Sequence, residues 1–327
     1  MTGWDREYLA NKEEYLKLFD KTMQKEQEQN VEFLEDSLKK ITGRKYAIAC
    51  SNGTDALHFA LISLGIKRFD EVLTTQFSWI STASVISMAG ATPVFCDIDP
   101  ETRNTSAEYI EPLINSRTEA IMVVHIGGQP CNMTEIVELS KKHNLLLIED
   151  SAETLGAKWK KNYTGSFGMG CFSFFPTKNI TTTEGGMLTI NNRKQYLEVK
   201  KIIAHGIDHD KKPVFWHREA VLPGHNFRLP NHLAALGISQ LKKLNKFNAK
   251  RRLIAKRYDN FLKKFEDVFA IQKVSKNLTH SYQMYTCLLK PKLRNNFLFF
   301  MKKNGIEVSA HFVPPLHKQN YLKKSSN

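Results

Sequence analysis

Short apolar runs rich in β-branched residues alternate with helical patterns along the first two thirds of the chain. This alternation is typical of a parallel sheet with helices on both faces. Several runs are apolar without interruption, as expected for strands whose two faces are both buried. Seven strands are predicted, at residues 46–50, 71–74, 93–97, 120–125, 145–149, 171–175 and 187–190. Helices are predicted between them, at residues 54–64, 80–88, 108–114 and 133–143.

The remaining regions predict helices and a second, smaller unit. Residues 7–40 are highly charged and contain neither Gly nor Pro, which favours helices that pack over the edge of the main domain. A long helix is predicted at residues 230–265, with a bend at 243–248. A small α/β unit follows, with a strand at 282–289, a helix at 295–303 that stops at Asn304-Gly305, and a strand at 306–309. We therefore expect a large domain at residues 1–245 and a small domain at residues 246–327.

Length and composition agree with this organisation. A chain of 327 residues can bury a large core, and 42% hydrophobic with 24% charged residues is ordinary for a globular protein. No run approaches the roughly 18 apolar residues that suggest a membrane span. The first residues lack the basic-then-apolar pattern of a signal peptide. These features predict a cytoplasmic protein without a membrane partner.

The five cysteines are odd in number, scattered and never in Cys-x-x-Cys spacing. This disfavours a disulfide framework or a zinc site, and no metal site is predicted. The cysteines are expected to be small apolar fillers in a reduced protein.

The formal net charge of +14 raises the question of an anionic partner. Residues 242–252 are rich in lysine and arginine, but Leu244 and Phe247 interrupt them as on an amphipathic helix. A solvated helix face is therefore favoured over a nucleic-acid site, and no nucleic-acid partner is predicted. A basic surface would also attract an anionic small substrate such as a nucleotide diphosphate.

Lys178 is the most informative residue of the chain. It lies between an apolar strand-like run and a turn rich in Thr and Gly, and a partly buried lysine amine can form a Schiff base. Upstream, the apolar run at residues 145–148 ends in two carboxylates, Glu149 and Asp150. An amine that binds an aldehyde and an acid that binds a pyridinium nitrogen together suggest a site for pyridoxal phosphate (PLP). Taken alone, Asp150 could equally cap a helix formed by the residues that follow it.

Two further turns follow predicted strands. Gly53 and Thr54 open a predicted helix, where free N–H groups favour an anion and glycine lets a phosphate approach closely. An ordinary strand-to-helix turn would carry the same residues. Trp79 follows the second strand and could stack on a flat cofactor, or it could belong to the core.

In this order, the motifs resemble the DegT/DnrJ/StrS family of PLP-dependent nucleotide-sugar aminotransferases. The resemblance covers about residues 35–321. It is carried by Gly53-Thr54, Trp79, VHIGG at 124–128, Asp150, Ser173, Lys178, EGGM at 184–187, GHNFRL at 224–229, AALGISQ at 234–240 and RRLIAKRY at 251–258.

The resemblance implies a fold-type I α/β protein with a mostly parallel seven-stranded sheet flanked by helices. It also implies a smaller C-terminal α/β domain and a homodimer with shared active sites. Lys178 would bind the PLP aldehyde covalently and later move the proton. Asp150 would pair with the pyridinium nitrogen, and Trp79 would stack on the ring.

The resemblance also assigns the residues around the rest of the cofactor. Gly53, Thr54 and Ser173 would hold the phosphate, and Asn226 would reach the phosphate of the partner subunit's cofactor. Glu153 occupies a position that is often Gln or His, near the phenolic oxygen. Because two anionic groups repel each other, Glu153 is expected to turn away, bind a donor or carry a proton.

The implied reaction moves an amino group from L-glutamate to a keto sugar attached to a nucleotide diphosphate. The turn that begins at Glu184 resembles that of members which aminate C4 rather than C3. Lysine at position 178 disfavours the related dehydratases, which carry histidine there.

A second interpretation comes from the end of the sequence, since typical relatives continue well beyond Tyr321. The small domain is therefore expected to be shortened, with apolar surface exposed at residues 282–289 and 297–300. In that case the chain could be a PLP-binding or sugar-nucleotide-binding regulatory protein with weakened catalysis.

Overall fold

A single seven-stranded sheet organises the large part of the molecule. The computed structural model describes residues 3–24, 29–208, 214 and 216–324. The strands of the large sheet are β1 (Tyr46–Cys50), β2 (Glu71–Thr75), β3 (Thr92–Cys96), β4 (Thr118–Val124), β5 (Leu146–Asp150), β8 (Met169–Ser173) and β9 (Gly186–Ile190). Short strands outside it are β6 (Lys158–Trp159), β7 (Asn162–Tyr163), β10 (Phe269–Ile271), β11 (Leu278–Thr279) and β12 (Cys287–Leu289).

The strand order of the large sheet is β1-β9-β8-β5-β4-β2-β3. Within this sheet only β9 is antiparallel, and it lies between β1 and β8. The seven strands predicted from apolar runs are confirmed, and so is the mostly parallel α/β fold. The carboxyl ends of β2, β4, β5 and β8 therefore lie along one edge of the sheet.

Helices cover both faces of this sheet. The helices of the described residues are α1 (Gly3–Gln24), α2 (Gln29–Thr42), α3 (Gly53–Ser63), α4 (Ser81–Met88), α5 (Ala107–Ile110), α6 (Met133–Lys142), α7 (Arg193–Ile202), α8 (Asn231–Leu262), α9 (Pro291–Lys303) and α10 (Asn320–Lys324). Of these, α9 lies in the C-terminal unit and does not cover the large sheet. The predicted helix at 108–114 consists of α5 and a 3₁₀ turn, Glu111–Leu113, because Pro112 has no N–H to donate to a continuing α-helix.

The charged N-terminal region forms α1 and α2, as predicted; residues 25–28 lie outside the described part of the chain. Helix α2 buries Leu34 and Leu38, which are four residues apart and face the core. Its Glu35 Oε1 accepts a hydrogen bond of 2.8 Å from the backbone N–H of Ala49 in the edge strand β1. Helix α2 thus covers the edge of the sheet that is formed by β1.

Helix α8 agrees with the predicted helix at 230–265, because a 3₁₀ turn at Lys263–Phe265 follows it directly. The helix runs through residues 243–248, where a bend was predicted, without interruption. It also runs through residue 245, so the domain boundary there stays a prediction.

The strands of the C-terminal unit, β10, β11 and β12, are shorter than predicted and lie at partly different positions. The predicted strand at 282–289 is limited to β12, which pairs with β10. The predicted strand at 306–309 is wrong: these residues form no strand, and Ile306 and Val308 are exposed without a neighbouring strand to bond them. The predicted stop of α9 at Gly305 is confirmed, since this glycine has φ +73°. Residues 325–327, part of the predicted small domain, lie outside the described residues.

Three smaller expectations concern the exposed apolar surface, the cysteines and membrane-spanning helices. Leu288, Phe299 and Phe300 are exposed, as predicted for this region. All five cysteines are free, and all but Cys287 are buried. Within the described ranges, no helix combines the length and apolar character needed to cross a bilayer.

Candidate active site

Several of the side chains that the sequence predicts to be functional lie at the carboxyl edge of the large sheet. This edge is where ligands bind in open α/β sheets. The Thr54 hydroxyl, at the start of α3, lies 2.8 Å from the Ser81 hydroxyl at the start of α4. Thr82, the next residue of α4, donates a hydrogen bond of 2.9 Å from Oγ1 to Oδ2 of Asp150 at the end of β5. Two helix N-termini and a strand end thus meet at one place.

Asp150 is a buried carboxylate, with 5% of its surface exposed. Apart from the Thr82 hydroxyl, it accepts a hydrogen bond of 3.2 Å from the backbone N–H of Ala152. Burial raises the pKa of Asp150, although these two hydrogen bonds and the positive charge of Lys178 act in the opposite direction. Residues 151–154 form turns and no helix, so the helix-cap interpretation of Asp150 is wrong.

Glu149, the preceding residue, has a different role from Asp150. Successive side chains on a strand point to opposite faces, so Glu149 and Asp150 diverge. Glu149 accepts hydrogen bonds from the backbone N–H groups of Gly165, Phe167 and Gly168 and lies 3.2 Å from His125 Nε2. Although burial acts to raise it, the pKa of Glu149 is lowered, because His125 and these N–H groups stabilise the carboxylate.

The partner of Glu149, His125, was not predicted from the sequence. Its Nδ1 accepts a hydrogen bond of 3.1 Å from the N–H of Cys131, so Nε2 carries the proton that faces Glu149. The alternation of side chains along β5 predicts that Glu149 and Asp150 lie on opposite faces of the sheet, and this was the signal that could have separated the two carboxylates.

Lys178 lies in the loop after β8, and 17% of its side-chain surface is exposed. Its Nζ is 3.4 Å from Oε1 of Glu153. The other oxygen of Glu153, Oε2, accepts a hydrogen bond of 2.8 Å from the N–H of Gly127. Of the three expectations for Glu153, the structure therefore agrees with binding a donor.

Gly53 and Ser173 form a corner at the start of α3. A Cβ atom at position 53 would lie 2.7 Å from Cβ of Ser173, so only glycine allows this approach. Asn52 caps the helix, its side chain accepting from the N–H of Asp55 at 2.9 Å. A Cβ at Gly186 would overlap the Asn52 carbonyl, which explains the glycine at the end of the Glu184 turn. Helix N–H groups next to the Ser173 and Thr54 hydroxyls form a donor set suited to a phosphate.

Trp79 and Asn226 lie nearby without joining these contacts. Trp79 is 64% exposed, so its interpretation as a core residue is wrong. Asn226 is exposed, and its Oδ1 accepts hydrogen bonds from the Arg228 guanidinium. The next residue, Phe227, accepts a bond of 2.9 Å from the N–H of Ser51 after β1, so this segment borders the Gly53 turn. The proposed ligand contacts of both side chains stay predictions.

A lysine whose positive charge acts on a buried aspartate, at the carboxyl edge of a mostly parallel sheet, is the arrangement that PLP-dependent enzymes use. A family match over nearly the whole chain identifies the aminotransferases within this class. The chain belongs to the DegT/DnrJ/EryC1/StrS aminotransferase family, whose model matches residues 10–327. It is therefore a PLP-dependent sugar aminotransferase.

Individual relatives show how far the similarity extends. The chain is 35% identical to a GDP-perosamine synthase of Escherichia coli O157:H7, over 99% of this chain and 86% of the relative. It is 38% identical to a GDP-perosamine synthase of Caulobacter vibrioides, over 87% of this chain and 76% of the relative. A protein of Geobacillus stearothermophilus named "Pleiotropic regulatory protein" is 33% identical, over 98% and 85% of the two chains.

Among solved structures, the aminotransferase from Psychrobacter cryohalolentis is 28% identical and superposes with a TM-score of 0.90. The similarity covers 95% of this chain and 85% of that one.

Proposed function

We propose that the chain transfers the amino group of L-glutamate to the keto carbon of a sugar attached to a nucleotide diphosphate, with C4 favoured over C3. The observation that carries the proposal is the position of Lys178, within electrostatic reach of the buried Asp150 and 3.4 Å from Glu153. A cytoplasmic location and a homodimer with shared active sites complete the proposal.

The residues at the site fit the cofactor. The hydrogen bonds that Asp150 accepts come from neutral groups, so a protonated ring nitrogen would give this buried carboxylate a charged partner. The corner of Gly53, Thr54 and Ser173 offers N–H and hydroxyl donors for the phosphate. When bound, PLP supplies an electron sink next to the carbon whose proton is moved.

Lys178 moves that proton at Nζ, acting as general base and then as general acid. The Oε1 atom of Glu153 lies 3.4 Å from Nζ, so the two side chains form an ion pair that positions the amine. The N–H of Gly127 holds the second oxygen of Glu153, which keeps the carboxylate directed at the amine. Asp150 keeps the ring nitrogen cationic throughout.

Two exposed side chains complete the proposed cofactor site. Trp79 has most of its ring accessible and could stack on the cofactor from the turn that leads into α4. Asn226 lies on an exposed segment, which suits its proposed contact with the phosphate of the partner subunit's cofactor. That contact would make dimerisation a requirement for full activity.

The substrate assignment draws on charge and on relatives. A net charge of +14 favours the approach of an anionic nucleotide diphosphate. Two relatives are named GDP-perosamine synthase, which makes a GDP-linked sugar the first substrate to test. The preference for C4 rests on the Glu184 turn, which packs beside the Asn52 carbonyl at the proposed phosphate corner.

One relative named as a regulatory protein favours a second candidate, a PLP-binding or sugar-nucleotide-binding regulator with weakened catalysis. The two functions differ in one property of the purified protein. A transaminase loses its yellow cofactor absorbance when L-glutamate is added, whereas a regulator keeps it.

The substrate test combines the protein, PLP and L-glutamate with 3-keto and 4-keto sugars linked to GDP, UDP or dTDP. We expect an amino sugar from a 4-keto compound, identified by NMR, and none from the Lys178→Ala variant. Amination of only the 3-keto compounds would overturn the C4 assignment. An unchanged yield with Lys178→Ala would overturn the proposed mechanism.

A further inference from the structure

Two buried residues, Asn248 and Ser281, form hydrogen bonds with both the Lys178 loop and the Glu153 loop. Asn179 follows Lys178 and is buried. Its Nδ2 donates to Asn248 Oδ1 at 2.7 Å and to the Ser281 carbonyl at 3.1 Å. Asn248 lies in the middle of α8, and Ser281 precedes β12, so both partners come from outside the lysine loop.

Asn248 and Ser281 also bind the loop of Glu153. Asn248 Nδ2 donates to the Leu155 carbonyl at 3.0 Å. Ser281 Oγ donates to the carbonyl of Glu153 itself at 3.0 Å. Each of the two residues thus forms a bridge between the lysine loop and the glutamate loop.

The fit around these bridges is close. A Cβ at Gly156 would lie 2.6 Å from Asn248 Nδ2, and a Cβ at Gly128 would lie 2.5 Å from Ser281 Oγ. Asn248 and Ser281 are both buried, so water does not compete for their hydrogen bonds. Larger residues at either glycine would displace the bridges.

We propose that Asn248 and Ser281 are positioning residues that set the distance between the Lys178 amine and the Glu153 carboxylate. Neither contacts the amine, so each acts on Lys178 through the backbone of the two loops. A longer distance breaks the contact of 3.4 Å between Nζ and Oε1, so the Lys178 side chain is no longer held against the carboxylate and reagents reach its amine more easily. The proposal rests on the role given to Lys178 above.

The test measures the reactivity of Lys178 in cofactor-free protein, so it is independent of whether PLP binds. The protein is treated with acetic anhydride at pH 8, and acetylation of Lys178 is quantified by mass spectrometry relative to the exposed Lys292. We expect Asn248→Leu to raise this ratio about threefold or more, because the two loops lose a bridge and the amine loses its contact with Glu153. Asn245→Leu, an exposed position of the same helix, is the matched control and should leave the ratio unchanged.

A double-mutant cycle separates positioning from general loosening. Glu153→Gln keeps an acceptor for Gly127 but removes the charge, so Asn248→Leu should add nothing in that background. An equal rise in both backgrounds, or no rise in either, would overturn the proposal. If Asn248→Leu does not fold, as judged by circular dichroism, the same double-mutant cycle is measured with Ser281→Ala. This substitution removes only the hydrogen bonds from Oγ to the carbonyls of Gly128 and Glu153.

Discussion

Replacement of Glu35 by Gln should stabilise the protein, and more so at high pH than at low pH. Glu35 Oε1 accepts the N–H of Ala49 at the edge of the sheet. Burial raises the pKa of Glu35 to about 7; Ala49 and Lys200 act to lower it, while Glu32 and Asp36 add to the rise. The glutamine side chain keeps an oxygen for Ala49 but carries no charge.

The sign follows from the difference between the folded and unfolded pKa values. Between about pH 4.5 and 7 the unfolded chain loses the Glu35 proton while the folded chain keeps it, so stability falls as pH rises. The ceiling of this loss is about 1 kcal/mol at pH 5 and about 3 kcal/mol at pH 8. Because Glu35 is partly exposed and its surroundings relax, we expect Glu35→Gln to gain about 1–2 kcal/mol more at pH 8 than at pH 5.

Urea unfolding of the cofactor-free protein at pH 5 and pH 8, followed by circular dichroism, measures this difference. Glu138→Gln removes a charge from an exposed position of a different helix, α6, and is the control; its effect on stability should be the same at the two pH values. If Glu35→Gln changes stability equally at the two pH values, the buried-carboxylate argument is wrong.

Three further substitutions test the site. Gly53→Ala forces a Cβ against Ser173 and should weaken PLP binding about tenfold or more, measured by absorbance titration; unchanged affinity would contradict the phosphate corner. Thr82→Val removes a hydrogen bond to the Asp150 carboxylate and should lower kcat about tenfold, from a loss of about 1.5 kcal/mol. A kcat within about twofold of the parent would show that Thr82 does not tune Asp150. Glu149→Gln leaves buried N–H donors imperfectly paired and should lower the free energy of unfolding by about 2–4 kcal/mol in urea, and a neutral effect would contradict a structural role.

The large sheet could be predicted because its strands are buried on both faces and read as continuous apolar runs. Lys178 and Asp150 could be predicted because each follows such a run, and strand ends of a parallel sheet meet at one edge. Their chemistry is thus encoded locally, next to elements with a strong sequence signal.

Other parts depend on partners that are distant in sequence. β10 has three residues, and its pairing with β12 carries no local signal. Ile306 and Val308 alternate as in a strand, yet no strand lies beside them in the described residues. Asn248, which bridges the Lys178 and Glu153 loops, appears in the sequence as one polar residue of a basic helix.

The central claim is that Lys178 binds PLP covalently. The direct measurement is borohydride reduction of the protein loaded with PLP, followed by protease digestion and mass spectrometry of the peptides. The account predicts a phosphopyridoxyl group on Lys178 and on no other lysine at stoichiometric yield. A folded protein that binds PLP but carries the label elsewhere, or nowhere, would contradict it.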